Sequence, residues 1–141
     1  MSVLCKPWLI SMPDIIAIIG CPSVREVDGL AMSFSNLSLL ASERANAPIL
    51  ARQLFRAADR IVTGESIAQC LTRARSCILE RGFQTVEYSE LCNEYKLLSL
   101  VKTDQSTRIL SVIWLGGIRL IENIIVRKLR HESRDRRYLL L

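Results

Sequence analysis

The spacing of apolar residues changes once along this chain of 141 residues, and that change limits the folds that the chain can adopt. Before Gly82, apolar side chains recur every three or four positions, which is typical of amphipathic helices. After Gly82, they alternate with polar side chains, which is typical of half-buried strands. Because the helices precede the strands instead of alternating with them, the sequence predicts an α+β fold, with helices packed on a small antiparallel sheet.

Two helices are expected before Gly82. In the first, Ser42 is the candidate N-cap, Pro48 marks a point where the helix starts or restarts, and Gly64 ends it. The second follows the candidate N-cap Ser66 and ends at Gly82. The apolar positions expected to face the core are Leu50, Leu54, Ala57, Ala58 and Ile61 in the first helix and Ile67, Leu71, Ala74 and Ile78 in the second.

Three strands are expected after Gly82. In the first of them, Val86 and Tyr88 alternate with two polar residues, which indicates a half-exposed strand with these two side chains on one face. Gly116 and Gly117 permit a tight turn between the second strand and the third. The predicted strands are residues 85–91, 108–115 and 118–121.

One further strand is predicted near the start of the chain, at residues 15–19, where five apolar residues follow one another. Such a continuous run is typical of a strand that is buried on both faces. A strand of this kind needs sheet neighbours on both sides, yet only fourteen residues precede it, so we expect that part of a larger domain is absent. The run is far shorter than the roughly 20 residues needed to cross a bilayer, and no membrane partner is expected.

The charge and the cysteines exclude several classes of function. Most of the net charge of +5 lies in residues 127–141, where six basic residues stand against two acidic ones. We interpret this segment as a solvated basic tail and expect no nucleic-acid partner. His131, the one histidine, lies in this tail, so neither a catalytic residue nor a metal site is assigned. The five cysteines form no C-x-x-C pair, which favours reduced thiols and a cytoplasmic location.

The loop at residues 21–36 is the segment that most favours a binding function. Asp28 and Gly29 predict a tight turn, because glycine tolerates positive φ and the aspartate side chain can accept a hydrogen bond from the backbone ahead of it. Several hydroxyl side chains and backbone amides then precede the first helix, and such groups can bind phosphate oxygens. The pattern by itself is also that of an ordinary structural loop.

Four blocks of sequence within residues 13–126 together match the pattern of one known family. The first block, V-R-E-V-D-G-L-A-M-S-F-S-N at residues 24–36, is similar to the family's nucleotide-binding loop. The second is S-E-R-A-N-A-P at residues 42–48, and the third is G-F-Q-T-V-E-Y at residues 82–88. The fourth, W-L-G-G-I-R-L-I-E-N at residues 114–123, is similar to the family's closing element. The four blocks stand in the order in which they occur in the pantothenate synthetases (pantoate–β-alanine ligases), and over residues 13–126 the chain resembles this family.

The resemblance implies a two-step, AMP-forming reaction. In this family ATP and pantoate form an acyl-adenylate with loss of pyrophosphate, and the amine of β-alanine then attacks the acyl carbon and releases AMP; Mg²⁺ accompanies the nucleotide. By resemblance, Val24 borders the adenine, and the loop that closes on the phosphates contains Met32, Ser33, Phe34 and Ser35.

Two departures from the family pattern qualify this expectation. The family's Ser-Ser-Arg-Asn is Ser33-Phe34-Ser35-Asn36 here, so one hydroxyl and one guanidinium are missing. The family's N-terminal half, with its paired histidines and catalytic lysine, has no counterpart either. Residues 1–36 are therefore expected to be the last strand and nucleotide loop of an otherwise absent Rossmann-like α/β domain, residues 37–126 the C-terminal lid domain, and residues 127–141 the basic tail.

Two hypotheses remain open from the sequence. The chain is the ATP-covering domain of a ligase, active only when an N-terminal half is supplied in trans, or it is a non-catalytic remnant or interaction module that retains the fold. In either case, the strand at residues 15–19 would expose unpaired edges, so self-association through it is a further expectation.

Overall fold

The computed structural model describes residues 22–93, 98–100 and 107–126 of the chain. The strand predicted at residues 15–19 and the basic tail at residues 127–141 lie outside these described residues. The elements, in chain order, are a 3-10 helix at Phe34–Ser38, the helices α1 (Ala41–Asn46), α2 (Pro48–Val62) and α3 (Ile67–Leu79), and the strands β1 (Thr85–Asn93), β2 (Thr107–Leu115) and β3 (Ile118–Val126).

The three strands form one antiparallel sheet with the order β1-β2-β3. Helix α2 packs on β3 and helix α3 packs on β1, so the helices cover one face of the sheet and the core lies between the two layers. The most deeply buried side chains of this core are Leu50, Leu54, Ile78, Leu91, Ile109, Ile113 and Ile124. The predicted α+β fold, with helices on a small antiparallel sheet, is confirmed.

Most of the predicted helix boundaries are confirmed. Helix α2 begins at Pro48, where the missing N–H costs no hydrogen bond, and it ends before Gly64, which has a φ of 98°. Helix α3 begins directly after Ser66, as expected, although the Ser66 side chain makes no capping hydrogen bond. Cys70 joins Ala74 and Ile78 in the buried face of α3 as a small apolar residue.

The predicted N-cap Ser42 is wrong, because this residue lies inside the short helix α1. Leu40 occupies the N-cap position instead, and its backbone N–H donates to a carboxylate oxygen of Glu43 at 2.8 Å. Glu43 can reach back in this way only from the third helical position, which places the start of the helix at Ala41. The side chain of Leu40 offers no acceptor for the first turn of the helix.

Replacing Leu40 with threonine is expected to raise the free energy of unfolding by about 1 kcal/mol, because a hydroxyl at the N-cap accepts a hydrogen bond from the first turn. Leu40 is exposed, so the substitution gives up little buried apolar area. Urea unfolding of the two chains measures the difference. Leu37→Thr is the matched control, since Leu37 is also exposed but lies within the 3-10 helix. An equal effect of the two substitutions would contradict the capping explanation.

The predicted face of Tyr88 is wrong. The pairing of β1 with β2 shifts register between Val86 and Tyr88, whose partners Ile113 and Val112 are adjacent residues. Glu87 is therefore an extra residue in β1, and such a bulge moves the following side chains to the opposite face. As a result Val86 is buried, whereas Tyr88 is 38% exposed.

Strand β3 is longer than the sequence predicted, because it extends to Val126 instead of ending at residue 121. Glu122 is responsible for the difference: it is 2% exposed and faces the core side, between Leu120 and Ile124. A glutamate at an inward position interrupts the apolar alternation on which the prediction rested.

The predicted tight turn between β2 and β3 is confirmed, since Gly116 and Gly117 have φ values of 59° and 75°. A Cβ atom at Gly116 would overlap the carboxylate of Glu43, so this turn also lies directly against helix α1. Within the described part of the chain, no helix combines the length and the apolar character that crossing a membrane requires.

Candidate functional site

A short acidic hairpin, defined here as residues 24–32, begins the candidate site. The backbone N–H of Met32 donates to the carbonyl of Val24 at 2.9 Å, and the N–H of Glu26 donates to the carbonyl of Leu30 at 2.8 Å. At the tip, an oxygen of the Asp28 side chain accepts from the N–H of Leu30 at 3.2 Å, and Gly29 between them has a φ of 90°. The tight turn predicted for Asp28 and Gly29 is confirmed.

The hairpin lies within the loop at residues 21–36 that the sequence singled out, and it leads directly into residues 33–35, which are called the loop from here on. The hydroxyl oxygen of Ser33 accepts from the N–H of Ser35 at 3.3 Å, and the carbonyl of Ser33 accepts from the N–H of Asn36 at 3.1 Å. These bonds start the 3-10 helix at Phe34. The five residues expected at a nucleotide all lie exposed on this hairpin and loop; they are Val24, Met32, Ser33, Phe34 and Ser35. Their role in binding stays a prediction.

Helix α1 is joined to the hairpin by one arginine. The guanidinium of Arg44 donates to the carboxylate of Glu26 at 2.5 Å and to that of Asp28 at 2.6 Å. Hydrogen bonds from Asn36 and Arg44 hold the pKa of Glu26 below its usual value of 4.5, and the hydrogen bond from Arg44 lowers the pKa of Asp28 from 3.8. The hydrogen bonds to Asp28 and Glu26 in turn raise the pKa of Arg44.

Stability is expected to fall in acid through these two carboxylates. Because folding lowers the pKa of Glu26 and of Asp28, their contribution is complete above about pH 5 and is lost as the pH falls through the lowered values. The measurement is urea unfolding between about pH 6 and pH 2 for the chain and for its Arg44→Met variant. The variant should lose less stability over this range. Arg52→Met, which replaces an exposed arginine on α2, is the control and should follow the unmodified chain.

A second arginine fixes the hairpin to the sheet. The guanidinium of Arg25 makes two parallel hydrogen bonds to the carboxylate of Glu122, at 2.8 and 2.9 Å, and a third to the carbonyl of Gly29 at 3.0 Å. The same guanidinium lies over the ring of Phe55 in α2, 5.0 Å from its centre. The side chain of Glu122 is 1% exposed and that of Arg25 is 21% exposed, so this ion pair between the hairpin and β3 has a buried carboxylate and a partly exposed guanidinium.

These contacts determine what the loop can do chemically. The family's loop carries a guanidinium where Ser35 stands, and Arg25 and Arg44 are the arginines nearest to it in the sequence. Both are already paired with carboxylates, so neither supplies the missing positive charge. The same ion pairs occupy Glu26 and Asp28, and the part of the chain that the structure describes contains no group of three or more His, Cys, Asp or Glu that could hold a metal ion.

Four residues that the sequence analysis did not assign to the site hold the hairpin in place: Arg25, Glu26, Arg44 and Glu122. Glu26 and Asp28 stand two positions apart on one hairpin, and this spacing could have indicated that both carboxylates pair with one basic side chain. No signal in the sequence connects Arg25 with Glu122, because 97 positions separate them.

Comparisons with known proteins agree on one family. A sequence model described as pantoate-beta-alanine ligase matches residues 10–125. The chain is 50% identical over 109 residues to a pantothenate synthetase of Chelativorans sp. strain BNC1, covering 77% of this chain and 38% of the relative. It is 40% identical to one of Cereibacter sphaeroides, covering 79% of this chain and 40% of the relative.

A solved structure gives the same result. The crystal structure of the pantothenate synthetase of Thermus thermophilus superposes with a TM-score of 0.79 at 26% identity, covering 88% of this chain and 45% of that one. The chain thus spans about two fifths of the length of the curated relatives that it matches.

Proposed function

This chain belongs to the pantoate–β-alanine ligase family, and from this we propose that it is the C-terminal, ATP-covering domain of such a ligase. The reaction would be the ATP-dependent, AMP-forming synthesis of an amide bond from pantoate and β-alanine. The observation that carries the proposal is the match over residues 10–125, which includes the complete hairpin and loop of the candidate site. The names of the relatives support ligation in pantothenate synthesis.

The described residues fit a nucleotide in part. Val24 and Met32 are adjacent on the hairpin and exposed, and their apolar side chains suit the edge of an adenine. Ser33 and Ser35 are exposed and bring hydroxyl groups that can donate to phosphate oxygens. The same residues do not fit a resident Mg²⁺ ion, since the nearby carboxylates are paired with Arg44; the ion would arrive as part of the Mg–ATP substrate.

Activity would require an N-terminal half, because the chain spans only about two fifths of its relatives. Residues 24–40, which contain the hairpin and the loop, expose several large apolar side chains, and a surface of this kind favours contact with another domain. These exposed side chains are Val24, Val27, Met32, Phe34, Leu37 and Leu40. An N-terminal ligase half is the proposed partner, and self-association and a cytoplasmic location stay predictions.

A second candidate function is an interaction module without catalysis. The observation that favours it is the loop itself, in which an exposed phenyl ring at Phe34 and a neutral side chain at Ser35 replace a hydroxyl and a guanidinium of the family pattern. Because Arg25 and Arg44 are committed to carboxylates, the loop lacks a charge-assisted phosphate contact from either of them.

ATP binding tests the proposal. Calorimetry would measure the dissociation constant of Mg–ATP for an N-terminal ligase half from the Chelativorans relative, for this chain, and for their equimolar mixture. If this chain covers the nucleotide, the mixture should bind at least about tenfold more tightly than the N-terminal half alone. Equal affinities, with both proteins folded by circular dichroism, would instead favour the interaction module.

A further inference from the structure

Asn36 holds the loop to the hairpin through its side-chain amide. The amide nitrogen donates one hydrogen to the carboxylate of Glu26 at 2.7 Å and the other to the carbonyl of Ala31 at 3.0 Å. Both acceptors belong to the hairpin. Because each of them can only accept, the orientation of the amide group is fixed by its neighbours.

The surroundings of Asn36 show that its side chain is held by the hydrogen bonds of the amide nitrogen. Asn36 is 5% exposed, in a segment whose other residues from Met32 to Leu37 are all exposed. Its amide oxygen accepts no hydrogen bond within the described part of the chain. A buried polar group with an unpaired acceptor is costly, so the two bonds made by the nitrogen must hold the side chain in place.

The Asn36 contact also joins the loop to helix α1. The oxygen of Glu26 that does not face Asn36 accepts from Arg44, which in turn reaches Asp28. One carboxylate therefore holds the loop through Asn36 and the helix through Arg44. In addition, the backbone of Asn36 donates to Ser33 and accepts from Leu39, so this single residue spans the whole 3-10 turn.

We propose that Asn36 is the positioning residue of the loop at residues 33–35, which it fixes on the hairpin in the orientation that covers the nucleotide. Asn36 acts through Glu26 and Ala31 and does not itself touch the nucleotide. The expected effect of Asn36 on ATP binding rests on the proposed function. Its effect on the position of the loop does not, and it can be measured in this chain without a nucleotide.

The test is Asn36→Asp in the full chain. Aspartate keeps the shape of the side chain but puts an acceptor against Glu26 and Ala31, so both hydrogen bonds are lost. Amide hydrogen exchange should show protection of Asn36 and Leu39 falling by about 10-fold to 100-fold. Mixed with the N-terminal half, the variant should bind Mg–ATP more weakly by a factor of about the same size.

Asn46→Asp is the matched control, because it adds the same charge at the end of helix α1, at a residue outside the network. It should leave exchange in the loop and ATP affinity unchanged. In the double variant Glu26→Gln and Asn36→Asp, position 26 supplies the amide donor and position 36 the carboxylate acceptor. The hydrogen bond can form again in the opposite direction, so part of the lost protection should return.

Equal exchange in the loop for the Asn36 and Asn46 variants would overturn the proposal. The proposal would also be overturned if Asn36→Asp lowered the unfolding temperature but left the ATP affinity of the folded mixture unchanged, because Asn36 would then have only a structural role. If the unmodified mixture binds no ATP beyond the N-terminal half alone, the proposed function fails, and the exchange measurement still decides whether Asn36 fixes the loop.

Discussion

Replacing Arg25 with methionine is expected to lower the free energy of unfolding by about 3–5 kcal/mol. The substitution leaves the carboxylate of Glu122 buried, with the N–H of Asn123 at 3.0 Å as its remaining hydrogen bond among the described residues. An uncompensated buried charge is far more costly than a lost surface pair. Since small domains are stable by about 5–15 kcal/mol, urea unfolding should show the variant close to the limit of folding.

Arg119→Met is the matched control for this prediction. Arg119 also makes a two-point contact with a glutamate, Glu87, but both side chains are about 40% exposed, so its loss should cost less than about 1 kcal/mol. The double variant Arg25→Met and Glu122→Leu should be more stable than Arg25→Met alone, because it also removes the buried carboxylate that has lost its partner. Equal costs for the Arg25 and Arg119 substitutions would show that the Arg25–Glu122 pair is not the anchor of the hairpin.

Restoring the family pattern in the loop is expected to strengthen ATP binding by roughly 100-fold. Phe34→Ser returns a hydroxyl donor, and Ser35→Arg returns a guanidinium that can contact phosphate oxygens in two places. The backbone should tolerate both changes, since Phe34 and Ser35 are exposed and the bond from Ser35 to Ser33 uses only the backbone N–H of Ser35. Calorimetry of the mixture with the N-terminal half measures the effect.

A second pair of substitutions separates a specific contact from added charge. Ser76→Arg and Leu79→Ser make the same kinds of chemical change on helix α3, at residues that are also exposed but lie outside the apolar surface of the hairpin and loop. This control should change the affinity little. If both pairs strengthen binding equally, the gain is a general electrostatic effect; if neither does, the loop does not close on phosphates.

The sequence alone was sufficient to predict the two longer helices and a small antiparallel sheet. Pro48, Gly64 and Gly82 are local signals, and each acts through its own backbone geometry, so the boundaries near them could be predicted. Ser42 was misleading because a serine, which is a good N-cap, lies two residues after the true cap, Leu40, whose backbone N–H donates to Glu43.

The contacts that build the candidate site could not be predicted in the same way. Arg25 and Glu122 meet only because the hairpin lies against β3, and a buried glutamate cannot be told from an exposed one in a single sequence. The bulge at Glu87 likewise depends on the pairing with β2, so the position of Tyr88 follows from tertiary structure. The family resemblance located the loop, but it did not reveal the hydrogen bonds that Asn36 and Arg44 donate to the hairpin.

AMP release tests most directly whether this chain is the ATP-covering domain of a ligase. ATP, pantoate and β-alanine would be supplied to this chain, to the N-terminal half of a relative, and to an equimolar mixture of the two. We expect AMP to appear only in the mixture, together with an equal amount of pantothenate. No AMP from a mixture in which both proteins are folded would contradict the proposed function and would leave an interaction module that has kept the fold.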